Sequence, residues 1–174
     1  MTGMPHLLQR RRVLAGLLAA WLAGCAPTQF EAGSEHIPTP LIDRIPVAVG
    51  VHLPAEFRDK VYAEKRSGVE YSIRLGKAQS DGFLRMMQAM FARVVVVDGP
   101  AAAGADPEIR GVLEPVLEDY AFVTPGDAGT SAYAASLKYT VRLYSPDGQF
   151  VESWTFTGYG SRPGSAFPGS GDDA

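Results

Sequence analysis

Along this chain the strongest signal is a two-residue period. Ile45, Val47, Val49, Val51 and Leu53 alternate with smaller or polar neighbours, as in a strand with one face in a core. Pro54 ends the run. Residues 55–66 fit a short helix or a strand equally well. Val69, Tyr71, Ile73 and Leu75 then alternate with Glu70, Ser72 and Arg74, giving a second clean strand. After Gly76 the period changes. Phe83, Met86, Met87, Met90 and Val94 follow helical spacing, with Leu84 and Phe91 beside them. Ser80 as N-cap and Asp81 in the first turn predict a helix over about residues 80–92. The valine run in residues 93–98 (RVVVVD) suits a strand covered on both faces. Strand, helix and strand in that order point to a parallel pairing through a right-handed crossover, with the partner strand left open.

Residues 101–107 read as a loop of small residues, and residues 109–123 as a long extended segment interrupted by Pro115. Proline cannot donate to a ladder, which places Pro115 on an edge or in a bulge. Tyr133, Ala135, Leu137, Tyr139, Val141 and Leu143 alternate with Ser136, Lys138, Thr140 and Arg142. Phe150, Trp154 and Phe156 follow beyond Ser145-Pro146-Asp147-Gly148, where Pro presets φ and Gly accepts φ > 0. A β-hairpin over residues 133–144 and 149–159 results. The glycines, prolines and serines of residues 158–171 predict a disordered tail.

These elements make an α+β domain over residues 45–160: a mostly antiparallel sheet of about five to six strands with one helix packed on one face. They also leave an imbalance. A thirteen-residue helix is roughly 20 Å long and 10 Å across, whereas six strands span nearly 30 Å at about 4.8 Å each. Something else must cover the rest of the apolar face: the tail around Phe167, a partner protein, a second copy, or acyl chains. The ending Asp172-Asp173-Ala174 resembles a helix opening, which would fit a truncated chain whose missing helix completes the cover.

The first 24 residues behave as an address. Arg10, Arg11 and Arg12 precede an apolar run of 12 residues, Val13 to Gly24. That is a charged n-region and an h-region, and the run falls short of the roughly 20 residues a bilayer span needs. It ends in Leu22-Ala23-Gly24-Cys25, which resembles the lipobox of bacterial lipoproteins. The resemblance covers the signal and Cys25 alone. It implies diacylation of the Cys25 thiol, cleavage before it, and acylation of the new amino group. Two or three chains anchor a protein stably, because each buried CH₂ contributes about 0.8 kcal/mol. Ala26, where an Asp would signal retention, implies the periplasmic face of the cell outer membrane. Arg10–Leu14 also resembles a degenerate twin-arginine signal, but Gln9 departs from it and favours the general secretory route. Residues 25–44 then form the lipidated N-terminus and a Pro-rich tether; its first fifteen residues after Cys25 reach about 20–25 Å. Residues 161–174 are the tail.

Charge and cysteine count exclude several functions. The 174 residues carry 16 basic and 19 acidic side chains; after residue 24 there remain 13 basic and 19 acidic, a net charge of −6. A protein of that sign has no electrostatic footprint for nucleic acid. With one cysteine it has no internal disulfide and no Cys-rich metal site. Of three histidines, His6 leaves with the signal, His36 lies in the tether, and His52 sits on the small-residue side of the first strand as a locally bonded histidine. No metal site, cofactor site or catalytic constellation emerges: Gly158-Tyr159-Gly160-Ser161 has the wrong order for a nucleophile elbow, and Ala105-Asp106 replaces the Lys-Ser/Thr of a phosphate loop between Gly99 and Gly104. Glu114 and Glu118 would share a strand face about 13 Å apart, too far for paired acids, and read with Asp119 as a solvated face.

The functional expectation is therefore a non-enzymatic accessory or assembly subunit of the cell envelope, held to the membrane through Cys25, with an envelope protein partner or self-association. Its plan is similar to that of lipopolysaccharide-assembly and transporter-auxiliary lipoproteins, an analogy of architecture only. The alternative is a lipid or small-molecule binding module using a helix–sheet groove around Met87, Met90 and Trp154, where thioethers repack easily around a ligand. A plain core stripe and cross-strand aromatic packing explain the same residues without function.

Overall fold

The computed structural model describes residues 28–31, 40–66 and 68–164. Cys25, most of the tether and residues 165–174, including Phe167, lie outside them. The fold is α+β. A five-stranded sheet carries β2 (Ile45–His52), β5 (Phe91–Val97), β6 (Ile109–Val123), β7 (Ala132–Tyr144) and β8 (Phe150–Pro163) in the order β5-β2-β6-β7-β8. A smaller sheet joins β1 (Thr28–Glu31), β4 (Val69–Arg74) and β3 (Val61–Arg66) in that order. The helices are α1 (Ala55–Arg58), α2 (Gly76–Met90), a 3₁₀ turn over Pro100–Ala105, and α3 (Pro125–Ala128).

The main sheet is mixed, which corrects the expectation of a mostly antiparallel one. Strand β2 is parallel to both neighbours, with Val49 opposite Val94 on β5 and Val51 opposite Leu113 on β6. The β6–β7 and β7–β8 pairings are antiparallel, the latter being the expected hairpin. The valine strand after the helix does pair in parallel, but with β2 rather than with the strand that precedes the helix. That strand, β4, instead pairs antiparallel with β3 and parallel with β1 in the second sheet. The segment read as a tether therefore contributes a strand, and residues 55–66 hold both a helix and a strand. At the far end, β8 continues through Gly158 and Gly160 to Pro163, where a disordered tail is expected.

Three local expectations change for physical reasons. Helix α2 starts at Gly76, four residues before Ser80, because Gly76 packs against the end of α1 and its N–H donates to the Lys60 carbonyl at 3.0 Å. Ser80 is inside the helix, and its buried hydroxyl finds no hydrogen-bond partner. Strand β5 is an edge, not a centre strand, and Val96 is exposed. Pro115 is among the most buried residues, within β6, between β2 and β7 in sheet order. It is tolerated because the last β2 partner is Leu113; beyond it no strand flanks β6 on that side to require a donor. The bulge lies just after it, between Leu117 and Asp119.

Two covers take the apolar face of the sheet out of water. Phe83 and Met87 of α2 pack on Val49, Val51, Leu113 and Val141, with Phe57 of α1 closing the end. Farther along β6 and β7, Ile73 and Leu75 meet Phe122, flanked by Tyr62, Tyr71 and Tyr120. Tyr62 and Tyr120 meet edge to face at 4.8 Å, and burial pushes the Tyr120 phenol up to about 12. Arg66 locks this second cover. It pairs with Glu64 at 2.9 Å and Asp127 at 2.7 Å, donates to the Phe122 carbonyl, and lies 4.7 Å over the Phe122 ring. Asp127 also completes a capping box with Thr124 at the start of α3.

Two predictions follow from this packing. In Gly76→Ala the new Cβ would sit 1.9 Å from the Arg58 carbonyl oxygen and 2.8 Å from the Lys60 nitrogen. Denaturant unfolding should show a loss of about 1–3 kcal/mol, whereas Gly99→Ala, with nothing within 4 Å, should change stability by less than about 0.5 kcal/mol. The Thr124 hydroxyl first, then Arg66, hold the Asp127 carboxyl at about 2, below its ordinary 3.8. A depressed folded-state value stabilises the fold above the unfolded one and stops doing so as pH falls through the folded one. Asp127→Ala should therefore lower the melting temperature at pH 7, and the gap from the parent chain should close between about pH 3.8 and pH 2.

Candidate functional site

Neither cover reaches β8. Between the C-terminal half of α2 and strands β6 to β8 lies an apolar groove of about 510 Å³, within the range of small-molecule sites. Met86, Met87 and Met90 form its helical wall, Val141 and Leu143 its floor, and Trp154 and Phe156 its outer wall. The three residues singled out in sequence, Met87, Met90 and Trp154, meet in this one groove. Met87 is buried, Met90 half-buried, and Trp154 is 50% exposed.

Local structure explains why these side chains converge. Val141 is directly opposite Trp154 in the β7–β8 ladder, and Tyr139 is opposite Phe156, their rings stacked at 5.7 Å. The Tyr139 hydroxyl donates to Gln79 Oε1 on α2, so the helix is tied to the strand whose neighbour carries the groove's outer wall. Burial raises the Tyr139 phenol above the usual tyrosine range, keeping it a neutral donor. Gly111 keeps the floor open beside β7: a Cβ there would lie 2.9 Å from Leu143 Cδ1 and 3.0 Å from the Tyr144 carbonyl oxygen. Arg110 stands exposed on the lining and is its one charged residue. Sequence reasoning missed Arg110, since a lone arginine next to a glycine carries no pattern.

The opposite face of the same sheet carries a third apolar cluster, in which Ala103 of the 3₁₀ turn packs with Ile109 and Val112, and beside it a polar network. Glu114 is buried and accepts from His52 Nδ1 at 2.7 Å, the Tyr144 hydroxyl at 3.2 Å and Arg142 Nη1 at 3.4 Å. The reading of Glu114 as part of a solvated acidic face is therefore corrected: β2 ends beside it, and His52 and β7 cover it. His52, expected to bond locally, instead bonds across to β6, 62 residues along the chain. Glu118 lies farther along, accepting from the Thr140 hydroxyl and 3.5 Å from Lys138 Nζ. Thr140 first, then Lys138, hold its carboxyl below the ordinary range. Every oxygen named here is taken up by a neighbour in the sheet. Among the described residues no group of three or more His, Cys, Asp or Glu is placed to hold a metal ion, and no helix is long and apolar enough to cross a membrane.

Glu114→Ala should leave the half-buried His52 and Tyr144 groups without their shared acceptor. A loss of about 1–3 kcal/mol in denaturant unfolding is expected. Comparison of the chain with protein-family models, curated proteins and solved structures finds no match, so function must be argued from the groove and the polar network themselves.

Proposed function

We propose that this chain is a non-enzymatic accessory lipoprotein of the cell envelope, anchored through acylated Cys25 on the periplasmic side of the outer membrane, whose domain holds the apolar chain of an amphiphile in the α2–β8 groove. The groove carries the binding part of this reading. It is walled by three methionines and three aromatics, polar groups are nearly absent from its lining, and Arg110 offers one positive charge suited to an anionic head group. Methionine side chains adapt to ligands of varied shape, as a binder of flexible acyl chains requires. The anchor rests on the sequence Leu22-Ala23-Gly24-Cys25 and its preceding arginines and apolar run.

The non-enzymatic part rests on the polar network. His52 and Glu114 make a hydrogen-bonded pair, but Glu114 is shared with Tyr144 and Arg142, and the pair lies across the sheet from the groove. A bound molecule in the groove would not meet it.

One preparation tests both parts. The full chain, purified from detergent-solubilised envelope, is split between peptide mass spectrometry and native mass spectrometry. The peptide beginning at Cys25 should carry acyl mass, and the intact protein should retain a noncovalent amphiphile. Met90→Asp should lose the noncovalent species and keep the acyl mass. Added long-chain fatty acid should shift the emission of Trp154, the only tryptophan after residue 24, with at least tenfold weaker binding in Met90→Asp. An unmodified Cys25 would remove the anchor. A groove that stays empty and leaves Trp154 unchanged would remove the binding function.

A further inference from the structure

Strand β8 is the free edge of the main sheet, 14 residues long, with Trp154, Phe156 and Tyr159 exposed and no described element against its outer flank. Natural edges of this length are normally blunted by central lysines, prolines or bulges, because unpaired N–H and C=O groups recruit another strand. Here the stretch between Glu152 and Arg162 is SWTFTGYGS, without a charge or a proline. The edge is open where it would usually be guarded.

We propose that β8 pairs antiparallel with β8 of a second copy about a two-fold axis at Thr157, joining two five-stranded sheets into one. A strand can pair antiparallel with its own copy only in registers that match residues of the same parity, since backbone groups on the free flank alternate. Centring on Thr157 sets Glu152 opposite Arg162 of the second copy, and by symmetry Arg162 opposite Glu152. Neither side chain has an ion-pair partner among the described residues of its own chain. The same register sets Trp154 opposite Gly160 and Phe156 opposite Gly158. A Cβ at either glycine would meet nothing within 4 Å, so each glycine leaves room for the aromatic ring across from it. An aromatic lying over a cross-strand glycine restores the packing the glycine lacks. Moving the axis by one residue either way puts Glu152 opposite Gly160 or Gly164 and unpairs the charges. Charge and shape therefore select one register.

The pairing rests on the edge itself, independently of any ligand in the groove. It is tested by sedimentation velocity of the full chain in density-matched detergent, over a range of protein concentrations. The parent chain should sediment as a dimer. Thr157→Glu places two carboxylates face to face at the axis, while within the chain it lies opposite Lys138 on β7, which suits an acid. That variant should keep its circular dichroism and a cooperative melting transition, and sediment as a monomer. Glu152→Arg and Arg162→Glu should each weaken the dimer on the order of tenfold, because like charges then face each other twice. The double reversal should restore it. A monomeric parent chain, a dimer indifferent to Thr157→Glu, or a double reversal no tighter than the singles would each overturn the proposal.

Discussion

The structure depends on one constraint: the apolar face of the five-stranded sheet must leave water, and its long strands exceed what a single helix can cover. Helix α2, with 15 residues, is about 22 Å long. Strand β6, also of 15 residues, runs about 50 Å at the rise of an extended chain. The helix therefore shields the half of β6 that lies beside β2, and the smaller sheet shields the half beyond it. Pro115 marks the junction. It sits where β2 has ended and only β7 remains to be bonded, so a residue without an N–H is accepted there and fully buried.

That division explains where the polar groups fall. Arg66 serves the second cover because the small sheet brings few apolar residues of its own. Its guanidinium joins Glu64, Asp127, the Phe122 carbonyl and the Phe122 ring, fixing β3 to the end of β6. On the reverse face, Glu114 holds the end of β2 to β6 and β7 through His52, Tyr144 and Arg142. Both are buried or half-buried clusters, so removing one partner is more damaging than the net worth of the bond. They act as structural fasteners at the two places where a strand ends beside a longer one.

Much of this was legible in the sequence. The alternation in residues 45–53, 69–75 and 133–144, and the helical spacing through Phe83, Met87 and Met90, fixed element types and the faces they bury. The turn at Ser145–Gly148 set the hairpin: Gly148 has φ +86°, and a Cβ there would meet Ala101 at 2.8 Å. What escaped is long-range. Periodicity reports which face is buried but not which strand lies alongside, so β4 could not be assigned to a separate sheet, nor β5 to the edge. Gly76 reads as a strand stop in one dimension; only the approach of the Arg58 carbonyl shows it to be the one residue that can open the helix there. Glu114 has the same cause: an acid on an alternating strand looks solvated until His52 arrives from 62 residues away. The groove was half visible. Its methionines and Trp154 stand out by type, whereas their convergence needed the Val141–Trp154 and Tyr139–Phe156 pairings.

Strand β8 falls outside both covers, and this links the groove to the edge. Trp154 and Phe156 point to the apolar face, yet α2 stops short of them and the small sheet lies at the other end of β6 and β7. Their inner surfaces wall the groove and their outer surfaces face the free flank. A sheet that merely needed protection could end in a short, charged strand. This one ends in its second-longest strand, with two aromatics followed by two glycines on a single face and its charges held to positions 152 and 162. A chain in the groove would rest against one side of the aromatics, and a second copy's Gly160 and Gly158 would lie on the other. Under that arrangement the same two rings are buried from both sides without a further element. The shortfall in cover that follows from one helix and a long sheet is then met by what the domain binds rather than by what it contains.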